Sequence, residues 1–329
     1  MKRRPFLQKI SLGALFSFTS TFSAFAASRS PTRKIGFLIS AAGYETAWDA
    51  LTLSLKQKGW IEGKNLQIVT KKVNSQRTDI ADKARELIEL GCELIVTTGA
   101  STAKEILKLT STLPIIDAGM VDPVLGGLVT SLSHPNTNLT GISILFDDIS
   151  LKLLELILSL DPQTKEIATL SNPQSTTNPR VPDKLTKVGA TMGIRNQVFL
   201  NNNVSEMASI FKQMQRNRQK FLIVLQSPYF VSNSAQIAKL AIEYNIAVLG
   251  QAEVYTQAGF FASYGVDYIE IFQRSATYVD KVLKGAKVNQ LPIEQATTLE
   301  LILNLKTVKA LNYKVPPKLE ITVNKFINS

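Results

Sequence analysis

From Lys34 onward the chain alternates short apolar runs with segments whose apolar residues recur every three to four positions. Ile35-Gly36-Phe37-Leu38-Ile39 reads as a buried strand, and Trp48 to Lys58 has helical character. Leu66-Gln67-Ile68-Val69 is strand-like, and the segment after it carries Ile80, Ala84, Leu87 and Ile88 on one helical stripe. Leu94-Ile95-Val96-Thr97-Thr98 and Pro114-Ile115-Ile116 continue the alternation. Continuous apolar strands separated by amphipathic helices predict a parallel sheet covered on both faces.

The rhythm restarts after Leu139-Thr140-Gly141-Ile142-Ser143. A helix over Asp148–Leu160 leads to a strand at Glu166-Ile167-Ala168-Thr169-Leu170. Further strands are predicted at Asn196–Leu200, Phe221–Leu225 and Ile246–Leu249. Before the last of these, Ile237, Leu240, Ala241 and Tyr244 form one apolar stripe. Two successive α/β units of similar size follow from this, with no low-complexity tether between them.

The first residues change how much of the chain belongs to that fold. Met1 to Lys9 carries four positive charges and no acid, and an apolar run with scattered Ser and Thr follows to Phe25, ending in Ala24-Phe25-Ala26. A charged start, a short apolar stretch and an A-x-A exit describe a cleaved signal peptide over residues 1–26. The run is shorter than the roughly 20 residues a bilayer demands. Arg3-Arg4 followed by Phe6-Leu7 resembles a twin-arginine signal, although Lys2 precedes the pair and an ordinary secretory signal can carry two arginines. Removing the signal takes Lys+Arg from 37 to 33 against 26 Asp+Glu, so the net charge falls from +11 to +7. The densest basic run, Lys212, Arg216, Arg218 and Lys220, has no interleaved aromatics to stack on bases, which points away from a nucleic-acid partner. The single cysteine, Cys92, opens an apolar run and reads as a buried thiol, and no cysteine stands at the signal exit to take a lipid. A periplasmic protein that is not a lipoprotein is expected.

Catalytic chemistry is sparse. His134 is the only histidine and sits in a turn, Ser133-His134-Pro135, with no activated nucleophile beside it. One His and one Cys cannot make a structural zinc site, so no metal is expected. Neither G-x-G-x-x-G after the first strand nor G-x-x-x-x-G-K-[ST] occurs, and no cofactor is expected. Asp147-Asp148 has the look of a catalytic pair, but capping the next helix accounts for it.

In open parallel sheets, ligands sit outside the carboxyl ends of the strands. That rule selects six loops: Ser40–Glu45, Gly99–Thr102 and Gly119–Asp122 in the first unit, and Asn172–Thr176, Gln226–Tyr229 and Gln251–Tyr255 in the second. The candidate ligand-binding residues within them are Tyr44, Ser101, Thr102, Asp122, Asn172, Tyr229, Glu253 and Tyr255. Gly99-Ala100-Ser101-Thr102 would offer backbone N–H groups to an anion, or be an ordinary capped turn. Tyrosine joins an apolar body to a polar tip, as small-molecule sites often need. Asp122, before Pro123, would either pair with a ligand ammonium or cap a helix beginning at Pro123.

Three longer blocks carry a resemblance. They are Asp122-Pro123-Val124 with Gly127–Leu132 and Asn138–Gly141; Gly259–Gly265 with Ala276–Lys287; and Leu291–Gln295 with Glu300–Thr307, Ala310-Leu311 and Pro316-Pro317. Gly59–Leu66 also fits. Together they resemble the ABC transporter substrate-binding proteins related to the tryptophan- and tyrosine-binding lipoproteins, over nearly all of residues 34–329. The resemblance implies a type I periplasmic-binding fold: two Rossmann-like lobes, parallel sheets flanked by helices, three crossings and a ligand cleft between the lobes. The lobes would be 33–143 plus 259–291, and 144–258 plus 292–329. It also implies a non-enzymatic, monomeric receptor that hands a small molecule to an inner-membrane permease. A ligand-sensing protein that signals to a membrane sensor or chemoreceptor would use the same cleft. Tyr229-Phe230 stands where amino-acid-binding relatives have a polar pair, a departure that weighs against an amino-acid ligand.

Overall fold

The computed structural model describes residues 31–40, 44–73, 77–175 and 180–328. The expected signal peptide, residues 41–43 of the first candidate loop and Thr176 of the fourth lie outside the described residues. Residues 32–329 form one compact unit.

In chain order the first lobe runs β1 (Arg33–Ile39), α1 (Glu45–Gln57), β2 (Leu66–Lys72), α2 (Arg77–Glu89), β3 (Ile95–Thr97), α3 (Ala100–Leu107), β4 (Ile115–Val121) and β5 (Leu139–Ile144). The chain crosses into α4 (Phe146–Leu160), β6 (Glu166–Ser171), α5 (Val181–Thr191), β7 (Arg195–Leu200), α6 (Met207–Arg216) and β8 (Phe221–Val224). It continues as α7 (Pro228–Ser232), α8 (Ser234–Glu243), β9 (Ala247–Gly250), α9 (Glu253–Gln257) and β10 (Ala262–Val266). It returns to the first lobe as α10 (Tyr268–Leu283) and β11 (Glu294–Gln295), then ends in the second as β12 (Leu299–Asn304), α11 (Leu305–Ala310), α12 (Pro317–Glu320) and β13 (Lys325–Ile327).

Among the described residues, one sheet has six strands in the order β11-β5-β4-β3-β1-β2 and the other has seven in the order β13-β12-β10-β9-β8-β6-β7. All pairs are parallel except β10 with β12, which run antiparallel because the chain re-enters the second sheet from the opposite direction. The strands read from continuous apolar runs are buried throughout: β4, β5, β8 and β9 expose no residue. Helix α1 turns Ala47, Trp48, Leu51 and Leu55 inward. Trp48 meets Phe37 of β1 at 4.7 Å and Phe272 of α10 edge-on at 4.9 Å between ring centroids. Burying each large apolar side chain contributes about 1.5–3 kcal/mol, so the α1–α10 seam clamps the returning segment to the first sheet. In the second lobe Tyr313 packs on Phe221 and Phe261 at 5.8 and 5.3 Å and closes the far side of that core.

Sheet membership differs from the expected boundaries in two places. The segment 259–291 was expected in the first lobe, yet β10 hydrogen-bonds within the second sheet, Ala262 opposite Leu249 and Ser263 opposite Gly250. The chain therefore crosses at Asp267, whose carboxylate accepts the Ile269 and Glu270 N–H groups at 2.8 and 3.2 Å and starts α10. Likewise β11, expected beyond the 291/292 boundary, pairs with β5 of the first sheet. The last crossing falls at 296–298. The three crossings lie side by side: Ala296 N–H donates to Ser143 at 2.8 Å and Asp267 N–H to Thr298 at 3.3 Å.

Candidate interlobe binding cleft

The carboxyl ends of both sheets face one another across a narrow cavity whose free space is about 60 Å³. The first lobe contributes Ser40, Tyr44, Thr98, Gly99, Gly119 and Val121; the second contributes Gln226, Ser227, Pro228 and Val231; Phe146 and Tyr268 come from the first turns of the crossing helices. Among the described lining residues none carries a formal charge.

Each wall is held by a polar contact made just behind it. After β1 and β3, Ser40 Oγ donates to the Thr98 carbonyl at 3.0 Å and lies 3.1 Å from the Thr98 hydroxyl, which ties two adjacent strand ends together. After β8, the Ser227 hydroxyl accepts the Phe230 N–H at 3.2 Å and Pro228 takes the first helical position, so α7 starts with its N-terminus at the cavity. The fully buried Gln251 supports that wall. Its Oε1 accepts the Gln226 N–H at 2.5 Å, and its Nε2 donates to Ser150 Oγ at 2.7 Å. The lobes are joined within the cavity, where Gln226 Nε2 donates to the Tyr44 hydroxyl at 2.6 Å. The Tyr44 ring packs on Tyr268, 4.6 Å between centroids, and burial pushes its hydroxyl pKa up to about 12. At neutral pH this is a phenol that can donate or accept, not a phenolate.

Of the eight candidate residues, Tyr44 lines this cavity. Tyr44 and Glu253 also line an adjoining groove of about 160 Å³, where Glu253 is paired with Lys325 and accepts from Gln257 Nε2 at 2.9 Å. Ser101 and Thr102 lie in the first turn of α3, one and two residues past the position after Gly99, and Thr102 is buried. Asn172 caps its own turn, accepting Gln174 N–H at 2.9 Å. Tyr229 does not line the cavity, and its hydroxyl donates to Asn201 Oδ1 at 3.5 Å. Tyr255 is fully buried and stacks on Phe260 at 4.9 Å. Asp122 adopts a positive φ of 38° and is followed by a turn, with Gly126 N–H donating to its carbonyl at 2.8 Å; no helix begins at Pro123 for it to cap. Burial raises its carboxyl pKa, with Asp147 adding to the effect and Lys184 opposing it. Asp147 and Asp148 sit in the first turn of α4 and share Lys184 at 3.1 and 3.5 Å, so they form ion pairs and not a side-chain cap.

The largest omission from the sequence-based set is Asp117. It stands in the middle of β4, wholly buried, and Oδ1 accepts the Gly99 N–H at 2.9 Å. Oδ2 has no hydrogen-bond partner among the described residues. Desolvation raises its pKa to about 8, against the opposing pull of the Gly99 N–H, so the carboxyl is protonated at neutral pH. Gln226 and Tyr268 were also missed as individual residues, although the loop that holds Gln226 was among the six.

Among the described residues there is no group of His, Cys, Asp and Glu placed to hold a metal ion, and no helix is long and apolar enough to cross a membrane. Cys92 is buried, and desolvation raises its thiol pKa.

Residues 34–326 match the model of a family described as ABC transporter substrate binding protein. The chain belongs to this family. A curated relative, the tyrosine-binding protein of Clostridioides difficile, is 26% identical over 298 residues, covering 90% of this chain and 84% of the relative. Among solved structures, the Streptococcus pneumonia domain in complex with L-Trp superposes with a TM-score of 0.82 at 21% identity, covering 90% of this chain and 100% of that one. A ligand-free, open substrate-binding protein with adhesive properties from Clostridium difficile gives 0.68 at 20% identity, covering 91% and 100%. These structures share the fold, two lobes of the type I periplasmic-binding architecture, and this member of the substrate-binding family has its cavity where the two sheets meet.

Proposed function

We propose that this family member is the periplasmic solute-binding component of an ABC-type importer. It is exported with residues 1–26 removed, takes a small molecule between its lobes and delivers it to an inner-membrane permease. The observation that carries this reading is the interlobe cavity, walled by both sheets and bridged by the Tyr44–Gln226 hydrogen bond. Its free space of about 60 Å³ is too small for a metabolite while the Tyr44–Gln226 bond closes it, so the lobes must part to admit one. A single chain supplies both walls, so a monomer is enough, and none of the described lining residues is an activated nucleophile or a general base.

An amino acid with an apolar or aromatic side chain is the ligand class best supported. Relatives of this chain bear the names of tyrosine and L-Trp. The cavity offers aromatic faces from Tyr44, Phe146 and Tyr268 beside hydroxyl and amide groups from Ser40, Thr98 and Gln226. The Tyr229-Phe230 departure does not bear on this, because neither side chain lines the cavity.

The test is a thermal-shift screen of the mature protein, residues 27–329, against amino acids and other small metabolites. A true ligand at 100 times its dissociation constant adds about 2.7 kcal/mol to the native state, a rise of several degrees. No shift with any amino acid at millimolar concentration would sink the ligand class, and no shift with any metabolite would sink the receptor reading.

A further inference from the structure

Nothing in the packing of β4 calls for an acid at its centre. Its neighbours in sequence, Ile116 and Ala118, are buried apolar residues, and the strand has no exposed position. A carboxyl placed there loses its hydration and recovers one hydrogen bond, from Gly99, while Oδ2 is left without a partner among the described residues. A buried polar group left half satisfied is costly and calls for an explanation. Its position supplies one. The residue it bonds, Gly99, and the residue two further along the strand, Gly119, both line the cavity. At Gly119 the backbone takes a φ of +122°, and the register of β4 against β5 shifts between Ala118 and Met120, so the strand is irregular beside the acid. Asp117 thus lies just behind the wall formed by Gly99 and Gly119, in a cleft whose described lining has no charged side chain.

We propose that Asp117 is the acidic recognition group of this cleft: a ligand bearing a primary ammonium is received against the Gly99–Gly119 wall, with the Asp117 carboxylate behind it as the counter-charge. The assignment rests on the small-molecule receptor reading and deepens its ligand class. In the empty cleft the carboxyl is neutral, because burial dominates and no charged side chain opposes it. Tyr268 of α10 is the titratable group coupled to it. Further along that helix Arg274 is paired with Glu270 and Glu294, and on α3 Glu105 is paired with Lys108 while Lys104 is exposed. When the ammonium arrives, the Asp117 O–H bond breaks and its proton leaves to solvent. The balance is carboxyl plus ammonium ligand giving a carboxylate–ammonium pair plus one free proton. A unit positive charge about 6 Å away changes proton affinity about a hundredfold at the effective dielectric of a protein interior. That is enough to release most of a proton at pH 7.

Titration calorimetry at pH 7 in phosphate and in Tris, whose protonation enthalpies differ, counts the protons released. The probes are L-tyrosine, L-tryptophan, tyramine and N-acetyl-L-tyrosine, run on the wild type, Asp117→Asn and Asp122→Asn. The expected result is release of most of a proton with each ammonium-bearing ligand and none with N-acetyl-L-tyrosine. Asp117→Asn should abolish the release and weaken the ammonium-bearing ligands at least tenfold. Buffer-independent heats in the wild type, unchanged affinity in Asp117→Asn, or loss of the release in Asp122→Asn instead would each overturn the assignment. If L-tyrosine or L-tryptophan binds the wild type and Asp117→Asn equally, the amino-acid reading stands and Asp117 falls. If tyramine alone binds with proton release, Asp117 stands and the amino-acid reading falls. If no ammonium-bearing probe binds at millimolar concentration, the Asp117 assignment is overturned.

Discussion

At Asp117 the protonation state also reports on folding. The unfolded chain holds this proton with a pKa near 3.9, and the folded chain holds it to about 8 because burial disfavours the anion. Below about pH 4 the group is protonated in both states and does not oppose folding. Between about pH 4 and about pH 8 the unfolded chain gives up the proton and the folded chain keeps it, so stability is lost as pH rises across that window. Asp117→Asn keeps the shape and the acceptor for Gly99 but cannot ionise. Its melting temperature should match the wild type near pH 4 and exceed it increasingly toward pH 8, by roughly 2–4 °C for each kcal/mol recovered. Parallel melting-temperature profiles over pH 4–8 would show that Asp117 ionises in the folded protein as easily as in the unfolded one. A polar residue inside a strand belongs to none of the six loops that the carboxyl-end rule selects, so that rule passes over Asp117 however it is applied. Tyr44 was legible because a tyrosine in a strand-end loop has few other places to go. Tyr229 and Tyr255, chosen on the same ground, show the limit: the Ser227 cap and the Ala252–Phe260 turn decide which way a loop side chain points, and those depend on tertiary contacts.

The elements themselves divide by how much of their burial is written in consecutive residues. Strands β8 and β9 are unbroken apolar runs and β1, β3 and β6 are mostly apolar, and all five were legible within a residue or two. Strand β10, Ala262-Ser263-Tyr264-Gly265-Val266, mixes small, polar and aromatic residues and shows no such run. Its place between β9 and β12 rests on backbone pairing and on Gly265. A Cβ at that position would sit 2.0 Å from the Gln251 carbonyl oxygen, so the strand passes directly against the residue that supports the Gln226 wall. Gly265→Ala must push β10 and Gln251 apart. Overpacking of this kind costs about 1–3 kcal/mol, and the displaced Gln251 should weaken ligand binding as well. Chemical denaturation of the variant should show a lowered midpoint; an unchanged midpoint would mean that the two backbones separate freely and that β10 does not hold the wall. The same intimacy explains why the boundary expected near residue 259 falls instead at Asp267: the chain cannot leave the second lobe before β10 is laid down.

For the molecule as a whole, the three crossings at 145, 267 and 296–298 lie side by side, the arrangement a hinge needs, and Tyr44–Gln226 bonds one lobe to the other. The first crossing lies beside the boundary expected at 143/144; the other two lie further toward the carboxyl terminus than the boundaries expected at 258/259 and 291/292, with β10 and β11. A ligand held by both lobes favours closure because it gains contacts with the second wall only then. The Tyr44–Gln226 bond adds to closure without a ligand. A single hydrogen bond contributes about 0.5–1.5 kcal/mol net, which corresponds to roughly a two- to thirteenfold change in the closed-to-open ratio. Tyr44→Phe deletes the hydroxyl and leaves the ring on Tyr268, so the variant should populate the open form more and show a larger radius of gyration without ligand by small-angle scattering. Saturating ligand should bring variant and wild type to the same smaller value, since interlobe contacts through the ligand replace the lost bond. If the variant and the wild type scatter identically both with and without ligand, the bond does not report closure, and the arrangement of the lobes is set by the crossings and the remaining interlobe packing.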